Sequence, residues 1–328
     1  MGIWKQMARF IIREARHAPI RGSVLLIGRQ TVHVTPARFF QLMCEEGMSI
    51  DPELPVTLDN TTRSGAGRGF ISDTYLFKAL GAETVSAIDV SDYEGADIVH
   101  NLDTPVPAHL EGRFDFICNG SVLDNMFNPT MGLTNISRML APGGRIVHFE
   151  HASNCTNGAY LQFSPNWFFD YYAINNYTDC KTYIALFHDL DAPWEFYACL
   201  HEEGREPRQF NSSRMAMTVV IAESASDSTW DRYPIQEQYR HGDEQQRYVN
   251  GQQRIAASAR SFMTPSSNGL LGARARAGQF SRRLATTIDL VRQPGSMPKR
   301  LALSPLVSRL PMRLLARRRG YLPLGTYY

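Results

Sequence analysis

The sequence predicts an α/β protein: a doubly wound, mostly parallel sheet with helices on both faces, followed by a C-terminal extension. Three observations carry this expectation. Short continuous apolar runs, each closed by Gly, Asp, Asn or Glu, suit strands buried on both faces. Segments with helix-start and helix-stop residues lie between them. The alternation of the two persists over about 150 residues, the pattern of parallel strands joined by helical crossovers. With 328 residues, 43% hydrophobic and 20% charged, the chain can bury a large core. That excludes a small disulfide-stapled domain and a wholly disordered chain.

The elements follow in order. Residues 1–21 are expected to form an N-terminal helix. Met1 to Gly22 is interrupted by Lys5, Arg9, Arg13, Glu14 and Arg16, so no secretory signal is read there. Val24–Ile27 is the first strand, ending at Gly28. Pro36–Glu46 is a helix with Thr35 as N-cap, Pro36 in its first turn and Gly47 as its stop. Met48–Gly69 is polar and turn-rich, a long loop. Ser72–Leu80 is a helix ended by Gly81. Val85–Ile88, ending at Asp89, Asp97–His100, ending at Asn101, and Phe114–Cys118, ending at Asn119-Gly120, are strands. Met131–Leu140 is a helix, Ala141–Gly144 a turn and Arg145–Phe149 a strand. Asn166–Ile174 reads as a helix, and Thr182–Phe187 and Ala216–Ala222 as strands. Gln236–Phe262 is polar and helical in pattern. The expected organisation is therefore an N-terminal helix (1–21), an α/β domain (22–225), a helical extension (226–265) and a weakly ordered basic arm (266–328).

Charge is unevenly spread. Residues 251–328 hold 14 of the 34 Lys and Arg residues and a single acid, Asp289, which leaves the rest of the chain acidic. Such asymmetry indicates an acidic globular body with a basic arm. Arg309, Arg313 and Arg317–Arg319 alternate with Leu310, Leu314, Leu315 and Leu322, a pattern that suits an anionic membrane surface or the protein's own acidic body. Nucleic acid is not favoured, because no interleaved aromatic platform accompanies the arginines. No apolar run reaches the ~20 residues of a membrane span. Cys44, Cys118, Cys155, Cys180 and Cys199 are odd in number and lack C-x-x-C spacing. Reduced thiols, a cytoplasmic location, peripheral to the membrane if the arm binds one, and no metal site are the expectation.

In an open parallel sheet, ligands bind outside the carboxyl ends of the strands. The residues there are Gly28-Arg29-Gln30, Asp89, Asn101-Leu102-Asp103, Asn119-Gly120-Ser121 and Glu150-His151. An acid at the end of the second parallel strand is placed to accept from ribose hydroxyls. A glycine after the first strand lets a ligand approach the backbone.

Val85–Ser91, Phe114–Leu123 and Met139–Arg145, the last with its Leu-Ala-Pro-Gly-Gly turn, together resemble class I S-adenosylmethionine-dependent methyltransferases in content, order and spacing. The resemblance spans residues 22–223 and implies a Rossmann-like fold with S-adenosyl-L-methionine as cofactor. It implies that Asp89 binds the ribose diol, that Val90 packs on the adenine and that Asn101 and Leu102 meet the adenine edge, where the family more often has an acid at position 101. It also implies that Asn119 and Gly120 flank the methionine end. Ser91–Ala96 and Tyr160–Pro165 resemble methyltransferase-like proteins of glycan and cell-surface gene clusters, which implies a small-molecule or glycan-like acceptor. The first motif departs from the family: Gly28-Arg29-Gln30 stands where an acid and three spaced glycines are usual. Arg29 either pairs with the methionine carboxylate or closes the pocket. Two readings thus stand: a methyltransferase, or a binding scaffold whose cofactor site has decayed. A dinucleotide or nucleotide-sugar enzyme ranks last, since the phosphate-binding glycines are missing.

For the transfer itself, His151 is the candidate base, since it follows the fifth parallel strand and His titrates near neutral pH. Tyr160 and Gln162 are candidates for orienting a sugar. Other residues have plainer readings. His148 packs on the sheet, Asp124-Asn125 opens a helix, and the Tyr-x-x-x-Lys match at Tyr177–Lys181 is a chance one, because Lys181 leads straight into a strand.

Overall fold

The computed structural model describes residues 2–201, 210–258 and 321–327. The first element is a two-residue strand β1 (Gly2–Ile3), followed by helix α1 (Lys5–His17). Met7, Phe10, Ile11, Ile12 and Ala15 recur at helical spacing and are all buried, which fixes α1 against the sheet. Strand β2 (Ser23–Ile27) comes next, then β3 (Thr31–Val32), which pairs in parallel with β1.

Helix α2 (Pro36–Glu45) is capped by Thr35, and α3 (Asp73–Ala79) by Ser72, each side chain accepting a backbone N–H of the first turn. Strands β4 (Thr84–Asp89), β5 (Ile98–Val99) and β6 (Phe114–Gly120) follow. Helix α4 (Pro129–Met139), strand β7 (Leu140–Ser153), helix α5 (Pro165–Ile174), and strands β8 (Asp179–Phe187), β9 (Trp194–Cys199) and β10 (Met215–Glu223) complete the body. Helix α6 (Gly242–Ser258) and strand β11 (Tyr321–Tyr327) come last.

The main sheet has the order β11-β9-β8-β10-β7-β6-β2-β4-β5. From β5 to β7 every pairing is parallel. Strand β10 is antiparallel to both β7 and β8, so β8 runs with the parallel set. One face packs against α1, α2 and α3, the other against α4, α5 and α6. The expected doubly wound, Rossmann-like architecture is the one observed.

Three details depart from the sequence reading. The Ala141–Gly144 turn is not a break before a strand. It lies inside β7 as an irregularity, with Phe114 opposite Leu140 and Phe116 opposite Arg145, and Gly143 at φ 77° absorbs the extra residues. Strand β9 was not foreseen; it forms an antiparallel hairpin with β8, Tyr183 opposite Ala198. Residues 321–327, assigned to the arm, form an edge strand on β9, and Pro323 sits beside a register shift, where a sheet edge tolerates it. The remainder of the basic arm, with its arginine-leucine segment, lies outside the described residues. Among the described residues no helix is long and apolar enough to cross a membrane.

The 48–69 loop is tied down. Asp59 accepts from the backbone of Thr61 and Thr62, and Thr62 Oγ1 lies 2.6 Å from Thr31 Oγ1 on β3. Lys181 lies inside β8, so Tyr177 and Lys181 do not share a helix face.

A buried ionic cluster joins α1 to the sheet. Glu14 pairs with Arg145 of β7 at 3.0 Å and with Lys181 of β8 at 3.5 Å, and Lys181 also pairs with Asp179 at 3.0 Å. Arg145 donates further to the carbonyls of Ala18 and Pro19. Removing one member of a buried ion cluster leaves its partners undercompensated, at a cost of about 3–5 kcal/mol. Glu14→Ala should therefore lower the unfolding free energy by roughly 3 kcal/mol or more, read from the shift of the urea midpoint.

Candidate functional site

The carboxyl ends of β2, β4, β6 and β7 lie side by side, and the residues after them form one rim. At the β2 end, Gly28 adopts φ 70°, a conformation that costs an L side chain roughly 1–2 kcal/mol. Its N–H donates to Ile88 O at 2.7 Å, which closes the turn against β4. A Cβ at Gly28 would lie 3.4 Å from Asp89 Oδ2 and 3.6 Å from Val122 Cγ2. The glycine therefore faces the Asp89 carboxylate and the turn after β6. Asp89 Oδ1 accepts from Val90 N at 2.6 Å, and no protein hydrogen bond occupies Oδ2 among the described residues. Val90 is 66% exposed although apolar, and Leu102 is buried.

Arg29 does not reach into this space with free donors. Its guanidinium pairs with Asp73 and Asp97, each at 3.2 Å, and donates to Gly95 O at 3.1 Å. It braces the loop after β2 against α3 and the segment after β4. Gln30, given no role in the sequence reading, is fully buried. Its amide donates to the carbonyls of Ile27 (3.0 Å) and Gly28 (3.3 Å), and a Cβ at Gly120 would collide with its Oε1. Gly120 is thus required by close packing. Asn101 is exposed and makes a local turn, its Oδ1 accepting from Asp103 N at 3.0 Å.

The second half of the rim is a polar network around the β6 and β7 ends. The turn Ser121–Asn125 follows β6, with Ser121 at φ 66°. Asp124, fully buried, accepts from four donors: at Oδ2 from Ser121 Oγ at 2.6 Å, His151 N at 3.0 Å and the His151 ring at Nδ1, 2.5 Å, and at Oδ1 from Asn125 Nδ2 at 2.7 Å. Burial alone would raise the Asp124 carboxyl. The hydrogen bonds from His151 and Ser121 outweigh it and hold the carboxyl below its usual range. With Nδ1–H donated to Asp124, His151 Nε2 is the accepting nitrogen.

Ser121 Oγ lies 3.2 Å from the same Nδ1. Serine and aspartate thus crowd one ring nitrogen instead of flanking the ring, so this is not the arrangement of a serine hydrolase.

Behind this pair, Asn119 Nδ2 donates to His148 Nδ1 (2.9 Å) and Glu150 Oε1 (2.5 Å), and Asn119 Oδ1 accepts from Val122 N. His148 Nε2 bonds Tyr172 Oη at 2.7 Å, and full burial pushes its pKa down to about 3. It is a neutral structural histidine, as the sequence suggested. Burial, with the Asp124 charge second, pushes the Glu150 carboxyl well above its usual range. The segment after β7 closes over the network: Leu161 N donates to Asp124 O (2.9 Å) and Phe163 N to His151 O (2.7 Å). Between and beside these anchors, Gln162 is exposed and Tyr160 is 71% exposed. Tyr160 lies 5.1 Å, centroid to centroid, from Phe127, itself 86% exposed.

The structure thus brings together Gly28, Asp89, Asn119, Gly120 and His151 at one rim, with Val90, Leu102, Tyr160 and Gln162 on its bordering segments. Asp124 is corrected: it does not open a helix but lies in a single 3-10 turn (Leu123–Asn125) and orients His151. No spacing rule links residues on different strands, so the pairing has no local signal. Among the described residues no group of His, Cys, Asp or Glu is arranged to hold a metal ion.

Residues 64–192 match the family of the methyltransferase domain. No match was found among curated proteins. Among solved structures, the chain is similar to a putative zinc-dependent alcohol dehydrogenase from Rhodobacter sphaeroides at 10% identity, over 46% of this chain and 48% of that one, with a TM-score of 0.27. It thus spans about half of that protein's length. It is also similar to 1,6-didemethyltoxoflavin-N1-methyltransferase from Burkholderia thailandensis (12% identity, 67% and 77% coverage, TM-score 0.32). A third likeness is to a Thermotoga maritima methyltransferase described as a possible histamine N-methyltransferase (13% identity, 67% and 90% coverage, TM-score 0.30). None of these three likenesses bears on what this chain does. The domain match runs from the loop before α3 into the hairpin between β8 and β9, and so covers the segments that carry Asp89, Asn119, Gly120 and His151.

The lowered Asp124 carboxyl has a consequence for stability. A group depressed in the folded state stabilises fully above its unfolded pKa, about 3.9, and that contribution is lost as pH falls through the lower folded value. In urea unfolding between about pH 6 and pH 2, the stability gap between wild type and Asp124→Asn should narrow steadily on acidification. A gap that stays constant would mean that Asp124 is not held as an anion.

Proposed function

We propose that this chain transfers a methyl group from S-adenosylmethionine to an oxygen or nitrogen of a small, uncharged, glycan-like acceptor. The observation that carries the proposal is the Asp124–His151 pair, 2.5 Å apart, on the same rim as Gly28, Asp89 and Gly120. The residues at the other end of the rim fit the cofactor. Asp89 Oδ2 would accept from the ribose hydroxyls. Gly28, turned toward that carboxylate with no side chain of its own, would let the ligand lie against the backbone. Val90 would cover one face of the adenine, Leu102 and Asn101 would border its edge, and Asn119 and Gly120 would flank the methionine end. Arg29 acts as a brace for this pocket, since each of its three nitrogens donates to a protein acceptor, Gly95 O, Asp73 or Asp97.

The bound cofactor supplies a methyl group already activated on a sulfonium, so the protein's task is alignment and removal of the acceptor's proton. His151 Nε2 would accept that proton, and the resulting imidazolium would be held by the Asp124 carboxylate at Nδ1. The exposed rings of Tyr160 and Phe127 offer apolar faces against which a ring-shaped acceptor can stack, and Gln162 offers hydrogen bonds. Residues 119–128 and 150–165 contain no Lys or Arg. That half of the rim therefore offers no countercharge to a phosphate or carboxylate, which is why a neutral acceptor is favoured.

Calorimetry with S-adenosylhomocysteine on wild type and Asp89→Ala tests the cofactor half. Micromolar binding, near −8 kcal/mol, that weakens at least tenfold in the variant is the expected result. No binding by wild type would overturn the methyltransferase reading in favour of a decayed scaffold. In the catalytic half, His151→Ala should leave S-adenosylhomocysteine affinity intact. It should slow methylation of neutral sugars or phenols by about a hundredfold or more, measured as product release under single-turnover conditions.

A further inference from the structure

Glu150 stands one residue before the proposed base and is fully enclosed, out of reach of any acceptor. Both of its carboxyl oxygens are spent on the turn that follows β6. Oε1 accepts from Asn119 Nδ2 at 2.5 Å and from Leu123 N at 3.3 Å, and Oε2 accepts from Asp124 N at 3.1 Å. We propose that Glu150 is the positioning residue of the site: by gripping the backbone amides of Leu123 and Asp124, it seats the Asp124 carboxylate against His151 Nδ1. It thereby fixes the ring's tautomer and the accepting role of Nε2. The inference deepens the function proposed above and rests on it only for the statement that His151 is the base.

Three observations support the assignment. First, the turn is strained at its start. Ser121 sits at φ 66°, a conformation that costs a non-glycine residue roughly 1–3 kcal/mol and persists only where the surroundings over-determine it. The two amides bound by Glu150 follow two and three residues later and supply that restraint. Second, the two acids have unequal partners. Two buried carboxyls in hydrogen-bond contact cannot both be charged, and Asp124 holds the donors that favour an anion, His151 and Ser121. Burial and the Asp124 charge push Glu150 the other way, toward the neutral acid. Third, the same β7 strand carries Glu150 and His151, so positioner and base move as one unit against the turn that bears Asp124.

The test uses the full chain without ligand and observes the His151 Nδ1–H by nitrogen-edited NMR. A ring N–H held by Asp124 and shielded by Leu161 and Phe163 should give a solvent-protected, downfield resonance, assigned by its loss in Asp124→Ala. Glu150→Leu, which keeps the bulk and removes both acceptors, should abolish it. Glu150→Gln, whose amide oxygen replaces Oε1 at Asn119 and Leu123 but whose NH2 cannot accept from Asp124 N, should retain a weakened, faster-exchanging resonance. Persistence of the resonance in Glu150→Leu would overturn the proposal. Loss as complete in Glu150→Gln as in Glu150→Leu would also overturn it, because the acceptor kept at Asn119 and Leu123 would then contribute nothing to the placement. Thermal melting and S-adenosylhomocysteine calorimetry of each variant separate this outcome from unfolding. Absence of cofactor binding in wild type would defeat the methyltransferase reading and leave the NMR result readable. Absence of the protected resonance in wild type would defeat the Asp124–His151 pairing itself.

Discussion

The rim depends on the register of β6 against β7. Cys118 lies opposite Val147, Asn119 opposite His148 and Gly120 opposite Phe149. Side chains alternate across a strand, so a slip of one residue would turn Asn119 away from His148 and Glu150 and send apolar neighbours into the polar network. The register is enforced from both sides. Cys118, Val147 and Phe149 are buried in one core layer, and Ile117 and Ile146 in the other. Hydrophobic packing thus decides where the hydrogen bonds can form, and the polar groups add direction to a placement already made.

Within that frame, three titratable groups in close contact, His148, Glu150 and Asp124, are driven apart in charge. His148, enclosed and bonded only to neutral partners, stays neutral. Glu150, enclosed beside another acid, is pushed toward its neutral form, while Asp124, with four donors, is held as the anion. His151, about one-fifth exposed in its side chain, is the neighbour of these three that can exchange a proton with something outside the protein. Separating neighbouring groups in this way is how a fold assigns acid and base roles. The outcome here is one fixed negative charge beneath one accessible imidazole.

Sequence reading recovered what is encoded locally. The parallel strands were visible as apolar runs ending in turn residues, and α2 and α3 as capped segments, because caps and buried strands have short-range signatures. Gly28 and Asp89 were legible for the same reason: each ends a strand. Asp124 and Glu150 were not, since their roles arise from a tertiary contact between elements about 27 residues apart, and a buried acid has no distinguishing neighbour in sequence. Arg29 was left between pairing with the methionine carboxylate and closing the pocket; the two acids that pair with it, Asp73 and Asp97, come from distant segments and gave no local signal. Strand β9 was missed because its polar flanks hide a run that only the hairpin with β8 makes a strand. The edge strand β11 was read as part of the basic arm because it follows a long basic segment in the sequence.

Strand β7 also separates stability from chemistry. Near its start, Arg145 is anchored to Glu14 of α1 and to the carbonyls that follow that helix, so the first helix of the chain holds the amino end of the strand. Near its carboxyl end, His151 is anchored to Asp124 by both its backbone and its ring. The two anchors lie six residues apart in sequence, about 20 Å along an extended strand. They share no side-chain partner, so changes at one should add to changes at the other with little coupling. The strained Ser121 turn and the semi-exposed histidine can be tolerated at the carboxyl end because the strand that carries His151 is secured elsewhere. A site built of buried charge and left-handed backbone would be costly on a loop. On a central strand clamped at its far end, the same groups hold their geometry without the rest of the fold having to follow each change at the rim.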